Sequence, residues 1–179
     1  AGKQNRLFIE CPPNAPDWVI LDDWFTLNYD RPRMQTSSVM LRRSLIERVG
    51  LFNPELPSGQ DTDYWFRIAL ACPRFGYRTA PSVTTRRYVP GSLTTAGWST
   101  WASRIEVRIR QVRQAHEHPE WPRTVHRYTR KRLLVGVPMM LGHGYPDLAR
   151  RAVEGMPPPW RDALWRRHEM LLAPPPWIM

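Results

Sequence analysis

Apolar residues recur with a helical period in several separate segments of this chain. In the segment 44–50, Ser44 and Glu47 have the spacing of a capping box, and Gly50 supplies a left-handed stop. Pro73 ends a longer periodic segment. That longer segment is 60–72. Four more segments with a helical period follow it, at 104–116, 123–135, 146–153 and 160–172. We expect a helix in each, with Pro and Gly between them.

Extended structure is predicted at two places. Segment 35–42 (QTSSVMLR) is rich in Thr, Ser and Val and predicts a strand. Segment 77–88 (YRTAPSVTTRRY) predicts one long strand or a pair of strands. Segment 17–27 mixes aromatic and acidic residues and predicts a short helix. Strands and helices therefore mix in the first part of the chain.

The mixture ends near residue 118, after which only helical patterns remain. This change predicts an α/β domain over residues 1–118 and an all-helical extension over residues 119–179. A chain of 179 residues fits one ordinary domain with an appended piece. The sequence begins without an initiator Met or a clear first element, which fits either a truncated or a processed chain.

The chain carries a formal charge of +10, almost entirely from arginine, since Lys3 and Lys131 are its lysines. Such a charge fits nucleic acid, an anionic membrane surface or phosphorylated substrates. An Arg-rich composition with solvated charges explains it equally well. Nucleic acid is disfavoured, because the arginines are interleaved with Glu, Trp and Pro and no recognition motif is present.

The cysteines and the apolar stretches indicate a cytoplasmic location. Cys11 and Cys72 match no metal-binding spacing and indicate either a reducing compartment or simple core filling, not a disulfide scaffold. No apolar stretch reaches the roughly 20 residues that span a bilayer. The basic, Trp-containing segment 160–172 is compatible with peripheral contact at the inner face of the membrane, although a helix packed on the domain is the favoured interpretation.

Asp61 is the candidate for chemistry. At about 100° per residue it shares a helical face with Trp65, Ile68 and Cys72, whereas Asp63 points away and stands four residues before Arg67. Free backbone N–H groups in the first turn stabilise a carboxylate there. The pattern predicts an inward-facing ionised acid, suited to a general base. An ordinary helix-start acid is the alternative.

The order of these segments resembles the second half of family 2 glycosyltransferases, which have the GT-A fold. The matching pieces are 36–39 (TSSV), 42–44 (RRS), 49–53 (VGLFN), 60–67 (QDTDYWFR) and 86–92 (RRYVPGS). Each piece alone is weak, but their combined spacing is specific. The resemblance implies a partial GT-A-like mixed sheet flanked by helices, the acceptor-side half of such an enzyme.

By that resemblance, Asp61 stands where the family has its catalytic base. In that family the base deprotonates an acceptor hydroxyl. The hydroxyl oxygen then attacks the anomeric carbon of a nucleotide-linked sugar and inverts the configuration of that carbon. Trp65 would pack under the site or against the acceptor ring, with a core aromatic as the favoured alternative. Arg86 and Arg87 stand where basic residues approach the donor diphosphate, with an exposed strand pair as an equal alternative. The implied substrate-binding positions are Gln60, Asp63, Trp65, Arg86, Arg87 and Tyr88.

Three departures from the family pattern keep a second hypothesis open. Gln60 replaces the family's Glu, and Tyr88 replaces a His that is sometimes a metal ligand. The donor-binding half, with the Asp-x-Asp that binds Mn²⁺ or Mg²⁺, is not in this sequence, and the adjacent pair Asp22-Asp23 is not that motif. A divalent cation is therefore expected in the complete enzyme and not on this chain alone.

The second hypothesis is a non-catalytic glycosyltransferase remnant that binds an acceptor or another protein. The partners expected of the enzyme are a nucleotide-sugar donor and a carbohydrate or lipid-linked acceptor. An upstream β-α-β half with Asp-x-Asp in the open reading frame would favour the enzyme over the remnant.

Overall fold

A computed structural model describes residues 8–9, 17–29, 36–80, 83–84, 99–158 and 161–162. The chain divides into two units, Ala1–Ala96 and Gly97–Met179. The change from mixed to helical patterns predicts a later boundary, near residue 118. The division lies earlier because the helix that begins at Ser99 packs its apolar face on the helices that follow it.

The first unit contains a three-stranded antiparallel sheet. Its strands are β1 (Phe8–Ile9), β2 (Trp18–Leu21) and β3 (Phe75–Arg78), in the order β1-β2-β3. The register pairs Ile20 with Gly76 and Leu21 with Phe75. Leu21 is buried at the end of β2. The described residues therefore combine helices with a small antiparallel sheet, which confirms the broad α/β class.

A short helix, α1 (Trp24–Leu27), follows β2 directly. Asp23 caps it, since its carboxylate accepts from Phe25 N at 3.0 Å and from Thr26 Oγ1 at 2.5 Å. The predicted helix over 17–27 is therefore correct only in its last residues. Its first part is a strand because Trp18–Leu21 pairs with β3.

The strand predicted over residues 35–42 is wrong. Residues Thr36–Ser38 form a 3-10 turn, and residues 39–42 belong to no strand. Propensity misleads here because Thr and Ser also favour turns when their side chains bond the local backbone. Of the long strand or strand pair predicted over 77–88, only Tyr77 and Arg78 belong to a strand, β3. Residues 79–80 and 83–84 belong to no strand, and residues 81–82 and 85–88 lie outside the described residues.

Two helices complete the described part of the first unit. Helix α2 (Arg43–Val49) confirms the predicted short helix, and Gly50 after it has φ 83°. The capping box is wrong, because the residue at the N-cap is Arg42 and no side chain caps the helix. Helix α3 (Gln60–Ala71) confirms the predicted longer helix and begins after Gly59, also at positive φ.

In the described part of the second unit, three helices pack around one apolar core. They are α4 (Ser99–Glu117), α5 (Arg123–Gly142) and α6 (Pro146–Glu154), all predicted from the periodicity. The predicted apolar face of α4 is confirmed at Ile105, Ile109 and Val112, whereas His116 is exposed. The shared core consists of Ile105, Ile109, Val112, Leu133, Val137, Met140, Leu148, Ala149, Ala152, Val153 and Met156.

Helix α5 continues beyond its predicted end at residue 135. Pro138 lies inside it, on the exposed side of the helix, where water can bond the carbonyl that a proline leaves without a donor. Of the predicted helix over 160–172, the structure describes Arg161 and Asp162, which are helical, and the remainder lies outside the described residues. Among the described helices, none has the length and apolarity needed to cross a membrane.

Candidate functional site

Asp61 lies in the first turn of α3 with its side chain exposed to solvent. Its Oδ1 accepts a hydrogen bond from the backbone N–H of Thr62 at 2.7 Å. The first turn places the carboxylate beside unpaired backbone N–H groups, which favour negative charge. The predicted inward orientation is wrong. The helical face it shares with Trp65 and Ile68 is buried further along, but Asp61 lies at its exposed end.

Asp63 is more covered than Asp61, which reverses the predicted arrangement. Its side chain is 14% exposed, and Oδ2 accepts from Arg67 Nε at 2.9 Å. Arg67 also donates through Nη1 to Val49 O at 2.9 Å and through Nη2 to Leu51 O at 2.8 Å. The predicted pairing of Asp63 with Arg67 is confirmed, but the pair is largely covered because Arg67 also binds the chain that leaves α2.

Gln60 holds the loop that leads into α3. Its Nε2 donates to the carbonyl of Leu56 at 2.7 Å. Leu56, Ser58 and Gly59 are buried in the same loop. Gln60 therefore fixes the entry of the chain into the helix, immediately before Asp61.

Trp65 packs in an aromatic cluster beneath the start of α3. Its ring lies 5.3 Å from Tyr64 and 6.0 Å from Phe52, measured between centroids, and it is 7% exposed. Phe52 lies 4.2 Å from Tyr64 and is partly exposed. Within the described part of the chain, no hydrogen-bond acceptor lies within reach of the buried Trp65 Nε1. This burial agrees with the interpretation of Trp65 as a core aromatic.

The remaining predicted positions, Arg86, Arg87 and Tyr88, lie outside the described residues. The structure does place Asp22 and Asp23. Asp23 caps α1, and Asp22 forms an exposed ion pair with Arg74 at 3.3 Å. Both acids have structural or surface roles, in agreement with the interpretation that they are not a metal motif.

Two residues outside the predicted site, Arg48 and Phe52, hold α3 in place. Arg48 donates through Nη2 to Ala71 O at 2.7 Å, which links α2 to the end of α3. Phe52 contacts Tyr64 and Trp65 at the other end. The sequence signal for Phe52 was its position in the segment 49–53, but nothing in the sequence indicated Arg48, because its partner is a backbone carbonyl 23 residues away.

The second unit contains a shallow cavity of about 230 Å³, lined by Arg113, His116, Glu117, Glu154, Gly155, Met156 and Pro157. Arg113 Nε donates to Gly155 O at its wall, at 3.3 Å. None of the predicted site residues that the structure describes lines this cavity.

Metal-binding side chains do not gather anywhere in the described ranges, since no three of His, Cys, Asp and Glu lie together there. Comparison of the chain with protein-family models, with curated proteins and with solved structures finds no match. The geometry at the start of α3 and the motif resemblance are therefore the basis for a functional proposal.

Proposed function

We propose that this chain is the acceptor-side part of an inverting nucleotide-sugar glycosyltransferase with Asp61 as its general base. The observation that carries the proposal is the contrast among three neighbours in the first turn of α3. Gln60 and Asp63 are engaged by Leu56 and Arg67, whereas Asp61 presents an exposed carboxylate. An acceptor hydroxyl can approach that carboxylate directly.

The rigidity of the helix start supports this role. Gln60 fixes the entry loop, and the Asp63–Arg67 pair ties the first turn to the end of α2. A general base must lie within about 2.6–3.2 Å of the proton that it removes. A carboxylate on a fixed helical turn can hold that geometry better than one on a loop.

The proposed reaction begins when Asp61 removes the proton of an acceptor hydroxyl. The hydroxyl oxygen forms a bond to the anomeric carbon of the donor sugar, and the bond from that carbon to the diphosphate oxygen breaks. The nucleoside diphosphate leaves with the electron pair. Attack from the face opposite the leaving group inverts the anomeric configuration.

The proposal assigns the donor site and its divalent cation to the donor-binding half of a GT-A-like enzyme. Strands β1 to β3 with helices α2 and α3 would form part of the acceptor-side sheet and its flanking helices. Carbohydrate or lipid-linked acceptors are the proposed partners of this side.

Asp61→Asn in the complete protein tests the assignment. Turnover would be measured as release of nucleoside diphosphate from a panel of nucleotide sugars, and nucleotide binding by calorimetry. We expect turnover to fall by about 10²–10⁴-fold while nucleotide binding is retained. Glu55→Gln, at an exposed acid in the preceding loop, is the matched control and should leave turnover unchanged.

Unchanged turnover in Asp61→Asn would exclude Asp61 as the base. Acceptor binding without diphosphate release from any nucleotide sugar would instead favour the non-catalytic remnant that binds an acceptor. Release of nucleoside diphosphate therefore distinguishes the enzyme from the non-catalytic remnant.

A further inference from the structure

The outward face of helix α5 has a basic half followed by an apolar half. The basic half carries Arg123, Arg127 and Arg130, all exposed. The apolar half carries Val135, Pro138 and Met139, also exposed. We call these six residues the α5 face. At about 1.5 Å per residue they span roughly 24 Å along the helix axis.

The α5 face is fixed in its outward orientation by the opposite side of the helix. Val125, Leu133, Val137 and Met140 are buried, with at most 1% of each exposed. The last three belong to the core shared with α4 and α6. Turning the α5 face inward would expose this core, so the α5 face remains on the surface while the unit is folded.

The charge of α5 is of one sign. Its residues include Arg123, Arg127, Arg130, Lys131 and Arg132, and the helix contains no Asp or Glu. A solvated helix face usually interleaves both signs, which support each other four residues apart. A cluster of four to eight Lys and Arg on one helix is instead typical of segments that bind anionic lipid.

The apolar half has a different composition from a solvated surface. Val135 is 53% exposed and Met139 is 36% exposed, one turn apart and beside the exposed Pro138. At about 100° per residue, the apolar half is centred roughly 100° around the helix from the basic half, so the two halves share the exposed side of α5 without lying on one line. Single exposed apolar residues are ordinary, but three neighbours flanked by basic residues are the combination found on helices that lie at a membrane surface.

We propose that the α5 face binds the surface of an anionic lipid bilayer. The basic half lies against the lipid phosphates, and Val135, Pro138 and Met139 enter the boundary between headgroups and acyl chains. The long arginine side chains allow the helix backbone to lie at this boundary while their guanidinium groups stay among the headgroups. This inference is independent of the proposed transfer reaction and uses none of its residues.

Other occupants fit the α5 face less well. Nucleic acid would pair with the arginines, but its phosphates offer nothing to Val135 and Met139. A second copy of the chain would need about 20–30 residues a side for a stable interface, far more than the α5 face provides. The bilayer is the partner that uses both halves together.

Flotation of the full chain with vesicles tests the proposal. The vesicles would be phosphatidylcholine alone, or phosphatidylcholine mixed with phosphatidylglycerol. We expect binding to the mixed vesicles, weaker binding as the salt concentration rises, and little binding to phosphatidylcholine alone. Arg123→Gln with Arg127→Gln should lower partition on the order of tenfold or more. Val135→Gln with Met139→Gln should lower it roughly tenfold.

Arg110→Gln is the matched control, since Arg110 is an exposed arginine on α4 and its loss should change binding less than twofold. Circular dichroism checks that each variant keeps its helices. A second measurement does not depend on a loss of binding. An environment-sensitive fluorophore attached at Val135→Cys, in a chain that also carries Cys11→Ser and Cys72→Ser, should shift its emission to the blue with mixed vesicles, whereas one at Arg110→Cys should not.

Equal partition of the wild type and both double variants would overturn the proposal, as would a label at residue 135 that stays in water. Equal binding to both kinds of vesicle would overturn the assignment to anionic lipid. Binding of duplex nucleic acid that depends on Arg123 and Arg127, without binding to vesicles, would assign the basic half to nucleic acid instead.

Discussion

Arg67 and Asp63 form an ion pair of 2.9 Å one turn apart on α3, and the carboxylate is the more covered partner. The same guanidinium donates to the carbonyls of Val49 and Leu51. One side chain thus joins the first turn of α3 to the chain that leaves α2. The orientation of the whole helix start, including Asp61, depends on this junction.

Arg67→Lys should loosen that junction. An ammonium group cannot reproduce the planar fork that meets a carboxylate and two carbonyls at once. We expect local stability to fall by about 1–3 kcal/mol. Hydrogen exchange of the amides in α2 and α3 measures this local opening. Arg74→Lys, at the exposed pair with Asp22, is the control and should change stability by less than about 0.5 kcal/mol.

Equal effects of Arg67→Lys and Arg74→Lys would show that the junction contributes no more than a surface pair. A loss confined to Arg67→Lys would show that the backbone carbonyls of the α2–α3 connection depend on it.

Gly155→Ala should destabilise the second unit. A Cβ at residue 155 would lie 2.5 Å from Ile109 Cγ2 and 3.2 Å from the backbone oxygen of Arg151, so the helix end would have to move. Overpacking of this kind costs about 1–3 kcal/mol. Thermal unfolding followed by helical circular dichroism measures the change. Gly142→Ala is the control, because a Cβ at residue 142 would have no other atom within 4 Å. It should leave the stability unchanged or raise it slightly. A Gly155→Ala variant as stable as the wild type would contradict the predicted close approach.

Trp65→Phe should cost little, although Trp65 is buried in the aromatic cluster. The substitution keeps an aromatic ring beside Tyr64 and removes an indole N–H that no described residue accepts from. The lost volume and the removed unsatisfied donor oppose each other, so we expect a change below about 1.5 kcal/mol. Trp65→Ala should cost about 3–5 kcal/mol by leaving a cavity.

Urea denaturation of the two Trp65 variants compares these costs. Trp18→Phe, at a more exposed tryptophan of β2, serves as the control for the loss of an indole. If Trp65→Phe costs as much as Trp65→Ala, the Trp65 N–H has a partner that matters for stability.

Glu120 should titrate below the usual glutamate range. Its own backbone N–H lowers the pKa of its carboxyl group, and the His118 side chain at 2.9 Å lowers the pKa further. A depressed pKa contributes stability above the ordinary carboxyl pKa, and this contribution is lost as the pH falls through the folded value. His118→Phe keeps the ring that stacks on Trp121 and removes the hydrogen bond. An NMR titration should show the Glu120 midpoint rising in that variant, and an unmoved midpoint would contradict the role of His118.

The helices show how much of this structure a sequence pattern can predict. Helices α3 and α4 were found from the spacing of their apolar residues, because helical period and burial of one face are properties of the local sequence. The strand prediction over 35–42 is wrong, because Thr and Ser, which occupy the 3-10 turn, also favour turns. A segment becomes a β-strand only when a neighbouring strand pairs with it, and which segments become neighbours depends on the tertiary fold.

The candidate site divides in the same way. Helical periodicity is enough to place Asp61 and Asp63 in the first turn of a helix and to bring Arg67 within reach of Asp63. Which of the two acids is covered depends on how α3 packs against the rest of the unit. A helical wheel gives the angle between two side chains but not where the core ends along the axis. Arg67 reaches the carbonyls of Val49 and Leu51, covers Asp63 and leaves Asp61 in solvent.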